Sequence, residues 1–83
     1  MELKDFTYTC NARGYMIQYK GQNIGGAGIS KDALSPRGRA AKKQISDYHQ
    51  LIKLEIDALI RGTGQPRFLE AIKNIEERTN HER

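Results

Sequence analysis

The feature that most constrains this chain is a change of hydrophobic period at Ser35-Pro36. Before it, apolar residues recur at every second position; after it, at every third or fourth. In 6–12 (FTYTCNA), Phe6, Tyr8, Cys10 and Ala12 alternate with Thr7, Thr9 and Asn11. In 15–20 (YMIQYK), Tyr15, Ile17 and Tyr19 alternate with Met16, Gln18 and Lys20. Each stretch reads as a strand with one buried face, and the two apolar sets fit one face of a hairpin. Arg13-Gly14 separates them, with Gly14 expected to supply the positive φ of a tight turn. Lys20-Gly21-Gln22-Asn23 reads as a second turn. A third strand follows at 23–29 (NIGGAGI), anchored by Ile24 and Ile29 and weakened by Gly25, Gly26 and Gly28. Glycine inside a strand marks a bulge or the close approach of another element, and the expectation is that the long helix crosses there.

Residues 30–35 (SKDALS) read as a loop, or at most one helical turn. Ser35 is suited to cap free backbone N–H groups, and Pro36 to the first helical position. The periodic pattern then runs to Arg61, and Gly62 is a stop signal. This predicts a helix over 36–61, about seven turns long. On a helical wheel Ala41, Ile45, Tyr48, Ile52, Ile56, Leu59 and Ile60 share one arc, which should cover the sheet. Leu51, Leu54 and Ala58 form a second stripe, rotated from the first by roughly 120–180°. That stripe needs cover from the last helix or from a second subunit. After the break at 62–66 (GTGQP), Pro66 starts a shorter helix over 66–79, with Phe68, Ala71, Ile72 and Ile75 on one face. The fold class is therefore α+β. It is a three-stranded antiparallel β-meander (strands about 5–12, 15–20 and 23–29) followed by one long and one short α-helix, in a single domain spanning 1–83.

A chain of 83 residues suits one domain with a thin core. Met1 to Phe6 is mixed and charged, not a secretory leader, and no apolar run nears the roughly 20 residues of a membrane helix. A cytoplasmic protein with no membrane partner is expected. The single cysteine, Cys10, has no internal disulfide or CxxC partner and reads as a small buried hydrophobe. The two histidines, His49 and His81, lack the partners of an acid–base pair. Asp47 and His49, two apart on a helix, point to different sides. No spacing matches a metal motif, and Gly25-Gly26-Ala27-Gly28 matches neither nucleotide-loop signature. The expectation is a protein that is not an enzyme, with no cofactor, no metal and no small-molecule substrate.

Charge is the informative quantity. The chain carries a formal +4. Residues 1–43 hold eight Lys/Arg against three Asp/Glu, and residues 44–83 hold six against seven. Lys31, Arg37, Arg39, Lys42 and Lys43 cluster around the predicted start of the long helix, against one acid, Asp32. Cations in a first helical turn oppose the helix dipole, each at about 0.3–1 kcal/mol. Folding alone favours Asp or Glu there. The cluster reads either as an anion site or as a solvated basic face. The outward strand positions Thr7, Thr9, Asn11, Met16, Gln18 and Lys20, with Arg13 at the turn, add side chains able to meet base edges or phosphates.

The stretch Gly14 to Gly21 (GYMIQYKG) is an aromatic–aliphatic–aromatic strand running into a Lys-Gly turn. With three strands followed by a packing helix, residues 4–60 resemble the arm-type DNA-binding domains of tyrosine recombinases and the similar AP2-like domains. The resemblance implies a sheet docked in the major groove with Arg13, Gln18 and Lys20 facing DNA, in an accessory protein of a mobile element or prophage. Two functional readings follow. The first is a nucleic-acid-binding module using Lys31, Arg37, Arg39, Lys42 and Lys43, assisted by Arg13, Gln18 and Lys20. The second is a protein-interaction module, a homodimer held through Leu51, Leu54 and Ala58.

Overall fold

The computed structural model describes residues 2–81, with side chains through residue 78. His81 and the polar tail around it lie outside the described side chains. The chain forms a short 3-10 turn (Leu3–Asp5), then β1 (Phe6–Asn11), β2 (Gly14–Tyr19), β3 (Gln22–Gly28), α1 (Gly38–Arg61) and α2 (Pro66–His81). The strands make one antiparallel sheet in the order β1-β2-β3. The expected α+β class, with a meander followed by a long and a short helix, is the one observed.

The alternating strand residues do what their period requires. Phe6 lies opposite Tyr19 and Tyr8 opposite Ile17, so the apolar sets share a face. Phe6, Ile17, Tyr19 and Ile24 from the sheet are buried against Ile52, Ile56 and Leu59 of α1 and Phe68, Ile72 and Ile75 of α2. Burying each such side chain fully contributes about 1.5–3 kcal/mol. α1 packs beneath β1 and β2, and α2 beneath β3. Both helices thus take the same face, and the other face of the sheet is bare. Lys20 (φ 51°) and Gly21 (φ 80°) form the two-residue turn between β2 and β3, the backbone pattern that matches the strand twist. Gly62 closes α1 in the left-handed region (φ 82°) with its N–H on the last carbonyls, as the sequence predicts.

Six expectations are corrected. Gly14 has no positive φ; the turn is Ala12-Arg13, where Asn11 Oδ1 accepts from the Arg13 N–H at 2.8 Å. A Cβ at Gly14 would instead sit 2.6 Å from the Ala27 carbonyl oxygen of the neighbouring strand. α1 begins at Gly38, not Pro36, and its cap residue Arg37 makes no side-chain cap bond. Ser35 does not cap the helix, because its hydroxyl is taken by Arg13. The element crossing the glycines of β3 is α2, not the long helix: Phe68 lies over Gly25. Ile60 is 37% exposed instead of joining the core: it stands at the edge of the buried arc, beside a fully buried Leu59, and borders Leu3 and Phe6. Cys10 is half-buried, packed against the core rather than within it.

Candidate nucleic-acid interface

The strand residues 6–11, 14–19 and 22–28 include no charged side chain at all. The bare face of the sheet is therefore neutral, and its polar groups are organised across the strands. Thr7, Gln18 and Asn23 stand in one row of the register. The Thr7 hydroxyl donates to Gln18 Oε1 at 3.1 Å, and Gln18 Nε2 donates to Asn23 Oδ1 at 3.1 Å. The ladder fixes which end of the Gln18 amide faces which strand. Asn23 is a member that sequence patterning missed, because only the register places it beside Gln18. Thr9 and Met16 form the next row, and Asn11 and Gly14 the next, where the face becomes a shallow hollow of about 290 Å³ bordered by Arg13.

Arg13 joins the sheet to the start of α1. Its Nη1 donates to Ala33 O at 3.2 Å and to Ser35 Oγ at 2.6 Å; its Nη2 donates to Ser30 O at 3.0 Å and to Lys31 O at 3.3 Å. A planar five-donor fork suits such a task, and an ammonium does not. Four backbone or hydroxyl oxygens thus hold a guanidinium in place while leaving its charge uncancelled. A second hollow, about 650 Å³, is bordered by Arg13, Ala33, Leu34, Ser35 and Arg37. Arg13 borders both hollows, so the sheet face and the helix start meet at this residue. Leu34, 93% exposed, projects beside them.

Lys31, Arg37, Arg39, Lys42 and Lys43 are all exposed. Among the described residues, the ion pairs are Lys4 with Glu2 and Arg61 with Asp57, so none of these five cations meets a carboxylate. Arg39, Lys42 and Lys43 fall within an arc of roughly 100° on the helix, turned away from the core stripe. The first turn of α1 contains no acid, and its backbone donors have no side-chain cap. Positive charge and free N–H groups accumulate at one end of the sheet. Lys20 and Gln18 lie toward the other end; Lys20 is separated from Arg13 by the length of β2, about 20 Å at 3.3 Å per residue. Arg13, Lys31 and Arg37 thus gather at the end of the sheet where α1 begins, Arg39, Lys42 and Lys43 extend from there along the side of α1 turned away from the sheet, and Gln18 and Lys20 lie apart.

Of the second stripe, Leu51 is 50% and Leu54 67% exposed, and Ala58 is half-buried; α2 does not cover it. Among the described residues no group of three His, Cys, Asp or Glu side chains is placed to hold a metal ion, and no helix is long and apolar enough to cross a membrane. The Cys10 thiol is pushed up by burial. No family model, no curated protein and no solved structure matches the chain.

Proposed function

We propose that this chain is a small non-catalytic nucleic-acid-binding module. The observation carrying the reading is the helix start just described: five exposed cations without carboxylate partners around an uncapped helix N-terminus. Arg13 ties it to a bare, neutral, polar sheet face. The division of labour follows from charge. Arg13, Lys31 and Arg37, at the end of the sheet, supply phosphate contacts, which set affinity and register, the face supplies Thr7, Thr9, Gln18 and Asn23 for base edges, and Arg39, Lys42 and Lys43 on the outer side of α1 add to the positive field that draws a duplex in. Size supports the docking. Three strands at about 4.8 Å spacing measure about 10 Å across, and a B-form major groove is about 12 Å wide. Lys20 then serves the phosphates at the far end of the strands. The reading extends the resemblance to arm-type and AP2-like DNA-binding domains, in which the sheet docks in the major groove.

The test is fluorescence anisotropy with a labelled duplex across a salt series. Four to five phosphate contacts give a slope of log affinity against log salt of about −4. Failure to retain duplex DNA or RNA at low salt and micromolar protein would remove the reading. A second reading rests on its own observation, the uncovered Leu51 and Leu54: a protein-interaction module with no nucleic-acid role. It is favoured if Leu54→Glu abolishes self-association or partner capture while no nucleic acid is bound.

A further inference from the structure

The outer edge of β1 carries backbone groups with nothing to bond. The Lys20 N–H donates to Asp5 O at 2.8 Å, one register step from the Phe6–Tyr19 pair. Bonded and non-bonded pairs alternate along an antiparallel ladder. Thr7, Thr9 and Asn11 therefore direct their amides to β2, and Phe6, Tyr8 and Cys10 turn theirs outward. The Phe6 N–H is taken by Leu3 O. The Phe6 carbonyl and both backbone groups of Tyr8 and Cys10 remain, and among the described residues no partner meets them. β1 has no charge, proline or bulge, the usual guards of an edge. β3 is guarded: Ile24 bulges out of its register, and Arg67 Nη2 occupies the Gly26 carbonyl at 3.2 Å.

Beside the open edge lies an apolar groove of about 450 Å³. Leu3, Phe6 and Tyr8 line one side, and Ile52, Ile56 and Ile60 of α1 the other, with Lys53 and Asp57 of α1 also lining it. Leu3, Tyr8 and Ile60 are exposed.

Charge identifies what fits. α1 runs antiparallel to β1: Ile45 O is 3.9 Å from Cys10 Sγ, the His49 ring centroid is 5.4 Å from that of Tyr8, and Ile60 lies beside Leu3. A two-fold axis at Tyr8 therefore passes at the level of His49. At 1.5 Å per residue, Lys42 lies about 10 Å to one side of that level, and Asp57 of a second copy about 12 Å to the same side. The basic half of one α1 thus faces the half of the other that carries no excess of cations, and the two basic ends stay apart. Because α1 sits beneath β1 and β2, the paired helices lie about 10 Å apart, an ordinary packing distance.

We propose that two copies of this chain join by antiparallel β1–β1 pairing centred on Tyr8, making one six-stranded sheet and covering both grooves. Each Tyr8 N–H donates to the Tyr8 carbonyl of the other copy, and each Cys10 N–H to the Phe6 carbonyl of the other copy. The contact is isologous, so it closes at two chains. It does not rest on the nucleic-acid reading: the joined sheet, about 24 Å across at about 4.8 Å per strand, is wider than one major groove, so a duplex would meet the single chain.

Sedimentation equilibrium and amide hydrogen exchange on the full chain test it. The mass is expected to double with concentration, and the Tyr8 and Cys10 amides to gain protection over the same range. Ile60→Glu replaces an apolar wall of the groove with a second carboxylate beside Asp57 and raises the dimer dissociation constant by about tenfold or more. If that variant fails to fold, Leu3→Glu, on the exposed 3-10 turn, brings the same charge to the groove with the same expected effect. Leu54→Glu, on the far side of α1, leaves dissociation unchanged. A monomer at every concentration overturns the proposal. So does a dimer that Leu54→Glu dissociates while the Tyr8 and Cys10 amides exchange freely, which assigns the contact to the Leu51–Leu54 stripe instead.

Discussion

Phe68 lies directly against the backbone of Gly25. A Cβ built on that glycine would stand 2.5 Å from ring atom Cε1, and Gly25 has φ 143°. The ring fills the space where β3 bulges, and Arg67 covers it, its guanidinium carbon 4.5 Å from the ring centroid. The Gly25→Ala substitution is expected to destabilise by about 1–3 kcal/mol through overpacking and backbone strain. Phe68→Ala should cost about 3–5 kcal/mol. In a double mutant the Gly25→Ala penalty shrinks, because the ring it would meet is gone. Urea unfolding of the four proteins measures this coupling.

The start of α1 is built against its own stability. Replacing Arg39 by Glu supplies the acid that the first turn lacks and should stabilise the fold by about 0.3–1 kcal/mol. The same change should weaken duplex binding at low salt, where the positive field of the outer α1 surface reaches furthest. Thermal melts and binding isotherms on one preparation check both. Loss of stability together with unchanged binding would contradict the prediction.

Arg13 is expected to matter beyond its charge. Arg13→Ala removes four donated bonds from the 30–35 segment and should destabilise by about 1–3 kcal/mol. Amide exchange should accelerate at Lys31 to Leu34. Arg13→Lys keeps the charge and loses the fork, so it should resemble Arg13→Ala in exchange.

Tyr19 links stability to alkaline pH. Its hydroxyl donates to Glu76 Oε1 at 2.8 Å. Burial, then that bond and the nearby carboxylate charge, push its pKa up to about 12. An unfolded tyrosine titrates near 10. The folded protein therefore holds the proton more tightly. This contribution is whole below about pH 10 and is lost as pH rises toward about 12. Tyr19→Phe should lower stability at neutral pH by about 1 kcal/mol and weaken its fall in that window. Denaturation midpoints across the alkaline range decide it.

The sequence carried the elements because each obeys one period. Phe6 to Ala12 and Tyr15 to Tyr19 each alternate, and Tyr48, Ile52, Ile56 and Leu59 mark the buried face of α1. What it did not carry was decided by contacts between distant residues. Ser35 looks like a cap until Arg13, 22 positions earlier, takes its hydroxyl. Gly14 looks like a turn residue until register sets it against Gly28. The glycines of β3 announce a close neighbour without saying which helix provides it. The basic cluster itself was legible; its junction with the sheet through Arg13 was not.

That junction also bears on how the surface could be reproduced. Among the cations of residues 31–43, those ahead of the helix owe their placement to a side chain on a hairpin well upstream, which grips residues 30–35 before the helix begins. A synthetic peptide cut from this stretch would contain each of those charges, yet lack the clamp that sets their spacing.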